Sequence, residues 1–127
     1  MIRKFNPDGV HPPGAPYSHG VEVTGPGKLL FVSGQVGVRP DGSVAEGIAE
    51  QARVATENLN AVLAAAGMDR SNIVKLTIYL TDEGNFPGFA QSAGGALPTE
   101  PPATTLLFVK ALASPALLVE IEAIAAA

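Results

Sequence analysis

"EGIAEQARVATENLNAVLAAAGMDRSNIVKLTIYL", residues 46–80, changes its periodicity part-way along. In the first part, Ile48, Ala52, Ala55, Leu59, Val62 and Leu63 recur at helical spacing with polar residues between them, which predicts a helix over 46–66. Gly67 stands where a left-handed C-terminal cap is expected. In "IVKLTIYL" (73–80) the period drops to two. Val74, Leu76, Ile78 and Leu80 face one way, and Lys75, Thr77 and Tyr79 the other, as on a strand with one side in a core.

Working outward, the segment from Pro7 to Gly27 is rich in Gly and Pro, with a short strand expected at Val21–Val23. In "GKLLFVSGQ" (27–35) four apolar residues, Leu29 to Val32, lie between glycines, which predicts a buried strand. "RPDGS" (39–43) is a turn signal. Residues 83–97 read as a weak helix. Thr81 or Asp82 supplies a cap and Phe86, Phe89 and Leu97 an apolar face, but Pro87, Gly88, Gly94 and Gly95 oppose it by local propensity. "EPPATTLLFV" (100–109) reads as a strand led in from a rigid turn, and a last strand is expected near 117–124. The order strand, strand, helix, strand, weak helix, strand, strand indicates an α+β sandwich with helices on one face of a sheet. Leu118 and Ile124 would point to the other face and are too apolar for a fully wetted surface, so another copy of the chain is expected to bury it.

The 127 residues suit a single domain with a real core. Hydrophobic residues make up 46% and charged residues 16%, a globular balance. The net charge is −4, and of the eight cations only Arg3 and Lys4 are adjacent, which argues against nucleic acid as a partner. With no cysteine, thiol nucleophiles, disulfides and thiolate metal sites are excluded. No apolar run approaches the roughly 20 residues of a membrane span, and "MIRKFNPDG" lacks the apolar stretch of a secretory signal, so no membrane association and a cytoplasmic location are expected.

Few residues can carry chemistry. His11 and His19 are the only histidines and lack metal-ligand spacing, so no metal site is expected. His19, in "PYSHG" beside Tyr17 and Ser18, is the better placed to act as acid or base. Glu120 and Glu122, in "LLVEIEAI", share one strand face about 7 Å apart. A carboxylate on so apolar a strand costs free energy unless it is paired or hydrated, which suits acid–base work or a polar subunit seam. Gly34 sits inside the apolar strand of "VSGQV" (32–36), where a glycine marks a bulge, a close backbone approach or a packing contact. Ser33 lacks nucleophile-elbow spacing, and no phosphate loop, GxGxxG or GxSxG is present.

"APYSHGVEV", "LLFVSGQVGVRPDGSV", "EQARVATENLNAVLAAAGMDRSNIVKLTIYLTD", "PPAT" and "LVEIEAIA" follow one another in an order and at distances that resemble the RidA family, also called YjgF or endoribonuclease L-PSP, over about residues 14–125. The resemblance implies a chorismate-mutase-like α+β fold with a mixed sheet backed by two helices, a homotrimer with pockets at the subunit clefts, and hydrolysis of reactive enamines and imines to keto acids and ammonia. It implies no metal or organic cofactor. Tyr17 matches the family's pocket tyrosine, Ser33 and Gly34 its ligand-facing "SGQ" segment, and Glu120 the late glutamate that positions the attacking water. The departure is at Thr104, where active deaminases of the family carry an arginine that grips the substrate carboxylate; a hydroxyl cannot reproduce that fork. The family's pocket asparagine falls at Ala90, and its small polar or cysteine position at Leu106. Arg39 and Lys75 remain as cations by elimination. Three functions follow: a RidA-like deaminase acting on a small enamine or imine that depends less on a carboxylate, a non-catalytic trimer that binds a small metabolite or a partner, and a ribonuclease, which the acidic charge argues against.

Overall fold

The computed structural model describes residues 1–93 and 100–127. Its elements are strands β1 (Ile2–Phe5), β2 (Gly20–Val23) and β3 (Leu29–Val36), helix α1 (Gly47–Ala65), β4 (Ile73–Leu80), helix α2 (Phe86–Ala93), β5 (Ala103–Phe108) and β6 (Val119–Ala126). The described residues form a four-stranded mixed sheet in the order β3-β6-β4-β5, with a two-stranded ribbon, β1-β2, beside it. β6 runs antiparallel to both β3 and β4, and β4 and β5 are parallel, joined through α2.

The period change between 46 and 80 is what the chain builds. Ala52, Ala55, Leu59 and Leu63 of α1 pack with Leu76, Ile78 and Leu80 of β4 and Val119, Ile121, Ala123 and Ala125 of β6 in one core. Gly67 ends the helix at φ +73°, where a side chain would be strained. Asp69 caps the short 3₁₀ turn Arg70–Asn72 in a reciprocal capping box and turns the chain into β4.

Three features differ from the sequence expectation. β1 is an additional strand, paired with β2 from Ile2–Val23 to Phe5–Gly20. Its four residues alternate in burial on an outlying ribbon, a period too short to register in "IRKF". The run Leu29–Val32 is not buried throughout: Val32 is buried, while Leu29 is 51% and Phe31 70% exposed, because β3 has helices on one side only. The second helix begins later than residue 83. Asp82 caps a 3₁₀ turn at Glu83–Asn85, and α2 follows; the calls on Leu97, Gly94 and Gly95 lie outside the described residues. Pro87 sits in the first turn of α2, where a missing N–H costs nothing, and a Cβ on Gly88 would come within 2.8 Å of Ile48 Cγ2. The two residues that weaken the helix by propensity therefore serve its start and its close packing on α1.

Gln51, near the start of α1, ties the residues just before the helix to the distant 116–118 segment. Only 2% exposed, it donates through Nε2 to the carbonyls of Ala45 (3.0 Å) and Ala116 (2.8 Å) and accepts from the Leu118 amide at Oε1 (2.8 Å). Replacing it with leucine leaves those backbone groups without their partner. We expect Gln51→Leu to lose about 2–4 kcal/mol in urea unfolding, from uncompensated burial of polar groups; a loss below about 1 kcal/mol would show that these groups find other partners.

Candidate functional site

The two-residue period of the strands sorts the candidate residues onto opposite faces of the sheet. Thr104 is in register with Leu76, and Leu106 with Ile78, so these four look toward the helices. With Tyr17, Phe86, Phe89 and Ala90 they line a cavity of about 260 Å³ between the β4–β5 edge, α2 and the 15–17 loop. Tyr17 is held there by its neighbour. Ser18 is buried, its amide donates to the Pro102 carbonyl at 3.0 Å, and its hydroxyl donates to the Pro101 carbonyl at 2.6 Å. Thr104 Oγ1 donates to the Pro102 carbonyl at 3.1 Å.

Glu120 lies on the other face. It is in register with Tyr79, as Glu122 is with Thr77. On the β3 side, Val32 pairs with Ala123 and Gln35 with Ile121, so Ser33 and Gly34 together stand opposite the single residue Glu122. This is a β-bulge, and it brings the backbone under a carboxylate: a Cβ at position 34 would lie 2.1 Å from Glu120 Oε2. Only glycine leaves room for Glu120 in that seat. Ser33 lines a separate depression of about 440 Å³ with Phe31, Lys75, Thr77 and Glu122.

The open face also carries a hydrogen bond that the sequence reading did not single out. Tyr79 Oη donates to Glu122 Oε1 at 2.5 Å. That bond, with burial and the charges of Glu122 and Glu120, holds the phenol above its ordinary pKa of 10.0. Alternation gave the faces of "VEIEAI" and of β4 from Lys75 onward; a register shift between Ile73 and Lys75 sets Ile73 beside Ala125 in the core, and the pairing register that joins the strands was not readable.

His19 is not brought to either place. Its Nε2 is 2.7 Å from the His11 carbonyl, its amide donates to Asn6 Oδ1 at 2.7 Å, and its ring meets Tyr17 edge-on at 5.3 Å between centroids. It lines neither the Tyr17 cavity nor the shallow depression that Glu120 forms with Tyr79, Val109, Leu112 and Glu122. The two cations named by elimination are also elsewhere. Lys75 Nζ donates to Thr105 Oγ1 at 2.7 Å on the open face, and Arg39 lies 3.9 Å from Glu50 beside α1. Among the described residues no three His, Asp or Glu side chains cluster as metal ligands, and no helix is long and apolar enough to cross a membrane.

Residues 9–127 match the family described as Endoribonuclease L-PSP. The chain belongs to this family, the RidA/YjgF proteins. Among its relatives, the RutC family protein y4sK of Sinorhizobium fredii is 43% identical over 117 residues, covering 88% of this chain and 89% of that protein. The mouse 2-iminobutanoate/2-iminopropanoate deaminase is 41% identical over 73 residues, 56% of this chain and 52% of the mouse protein, so the match spans about half of that enzyme. Among solved structures, the Rid family protein YyfB from Yersinia pestis, described as of unknown function, superposes with a TM-score of 0.85 at 32% identity, covering 99% of this chain and 98% of that one. The two helices on a mixed sheet are thus the RidA arrangement, as the sequence resemblance implies.

The Tyr79–Glu122 bond gives a pH dependence with a defined sign. A phenol whose pKa is raised on folding adds stability in full below its unfolded pKa, near 10, and loses it as pH rises through the folded value. The stability gap between wild type and Tyr79→Phe, by urea unfolding, should be present at about pH 8 and close in the alkaline range above about pH 10. A gap that stays constant across that range would mean the bond does not couple to phenol ionisation.

Proposed function

We propose that this protein is a RidA-like deaminase that hydrolyses a small reactive imine or enamine, in clefts formed where copies of the chain meet. The observation that carries this reading is the seat of Glu120: a carboxylate fixed over a glycine bulge, on the strand at the centre of the sheet. In that place it is a general base of fixed position. It takes a proton from water as the water oxygen bonds to the imine carbon, and the C=N π pair moves to nitrogen. The protonated carboxyl returns that proton to nitrogen, giving the carbinolamine; the carboxylate then takes the hydroxyl proton and passes it to the amine nitrogen, so that C=O forms as the C–N bond breaks and ammonia leaves. The sum is imine plus water giving carbonyl compound plus ammonia.

Tyr17 and Thr104 cannot join Glu120 within one chain, since the sheet stands between them. A homotrimer supplies the missing half: the open face of one copy, with Glu120, Ser33 and Gly34, would meet the cavity edge of its neighbour, with Tyr17 and Thr104. The open face has the character of a contact surface. Phe31, Leu29 and Leu107 are 70%, 51% and 46% exposed there, around the Glu120–Glu122 carboxylates.

Two measurements test these claims. In the first, an amino-acid oxidase generates carboxylate-bearing imines and an amine oxidase neutral ones, semicarbazide traps them, and the protein competes for them. Faster release of carbonyl product, reduced at least about 100-fold in Glu120→Gln, is expected for loss of a general base. No acceleration over buffer with either carboxylate-bearing or neutral imines would favour a non-catalytic binding role. The second is sedimentation equilibrium. Three copies are expected for the wild type and one for Phe31→Glu, since a charge would be buried without a partner; a monomeric wild type would remove the inter-subunit cleft.

A further inference from the structure

The Tyr17 cavity has an unusual wall for a site in which a small anion would be bound. Leu76, Ile78, Phe86, Phe89, Ala90 and Leu106 supply its hydrocarbon lining. The side-chain polar groups are the hydroxyls of Tyr17 and Thr104, and that of Thr104 is directed to the Pro102 carbonyl. No described lining residue carries a charge. Within the chain the nearby cations are committed elsewhere: Lys4 Nζ donates to the Glu100 carbonyl, and Lys75 Nζ to Thr105 Oγ1 on the open face, whose proposed contribution to a neighbour's cavity is the Glu120 carboxylate.

A carboxylate placed in this cavity would give up water and meet no cation or fork of donors, a cost that neither remaining hydroxyl offsets. A hydrocarbon group there would instead gain contact with the aromatic and aliphatic walls. At about 260 Å³ the cavity falls below the roughly 300–1,000 Å³ of pockets that take drug-sized ligands, so its occupant is small. The tyrosine hydroxyl is enough to orient one neutral polar atom, an imine nitrogen or a carbonyl oxygen.

We propose that the cavity selects a small, uncharged ligand: an imine or enamine whose reacting carbon bears hydrocarbon groups and no carboxylate, together with the neutral ketone or aldehyde it becomes. In the balanced reaction, R(R′)C=NH + H₂O gives R(R′)C=O + NH₃, with both R groups hydrocarbon or hydrogen. The inference rests on the deaminase reading for the word substrate, and on the cavity alone for the class of ligand. It places the protein after a reaction that releases imines from simple amines, rather than from amino acids.

The test compares two product analogues that differ only by the carboxylate, 2-hexanone and 2-oxohexanoate, titrated into the full-length protein and followed by NMR. The ketone is expected to shift resonances of Phe89, Thr104 and Leu106 and to bind at least about tenfold more tightly than the keto acid, the discrimination expected when a buried charge lacks a partner. Thr104→Arg is expected to reverse the order. The wild-type ratio decides the matter without any variant. Equal or tighter binding of 2-oxohexanoate, ketone shifts mapping away from the cavity, or no saturable ketone binding would each overturn the proposal. The hydrolysis assay separates this from the enzymatic reading. Ketone selectivity without turnover of any imine would sink the enzyme and leave the ligand class standing; turnover of 2-imino acids with keto-acid preference would do the reverse.

Discussion

β6 is hydrogen-bonded along both edges, to β3 and to β4, and its period of two decides what each face of the molecule is. Val119, Ile121, Ala123 and Ala125 point into the helix-covered core, and Glu120 and Glu122 away from it. A strand gripped from both sides has little freedom to slip, because a shift of one residue would put carboxylates into the core and valine and isoleucine outside. Glu120, the proposed general base, is therefore carried by one of the two strands of the sheet that are paired along both edges. Its exact seat is then set by the β3 bulge, where Gly34 leaves a gap that any side chain would close.

The elements that read clearly from sequence are those whose periodicity expresses burial on one side. α1 and β4 belong here, since both press a single face onto the core. Where burial depends on partners far along the chain, the signal fails. The apolar run Leu29–Val32 looks like a buried strand, yet half of it lies on the uncovered face. Gly88 looks like a helix breaker until Ile48, forty residues earlier, is seen against it. "IRKF" becomes a strand only because Gly20–Val23 lies alongside. The candidate site divides the same way. Gly34 inside an apolar strand and the paired glutamates declare themselves locally, whereas the separation of Tyr17 from Glu120 by the thickness of a sheet has no local sign. His19 shows the opposite error: proximity to Tyr17 in sequence places it beside the cavity wall, with its ring turned to the His11 carbonyl.

With Thr104 and no charged residue in its described lining, the cavity offers a different kind of recognition from a charged clamp. A charged clamp recognises one group of the ligand and tolerates much variation elsewhere. An apolar chamber recognises volume and shape, with shallow discrimination between close homologues, since one methylene is worth only about 1–3 kcal/mol. A member of this family built in the second way would be selective against charge and permissive toward hydrocarbon, which alters the range of compounds it meets usefully.

Ser18 joins the β1-β2 ribbon to the main sheet through its bridge to Ala103 and its bonds to Pro101 and Pro102. Two-stranded ribbons are marginal by themselves, and such elements open more readily than the body they attach to. Tyr17, next in the chain, takes its place from that anchor: any opening of the ribbon that broke the Ser18 bonds would carry it off the cavity wall, while Glu120, on a strand paired along both edges, would keep its place.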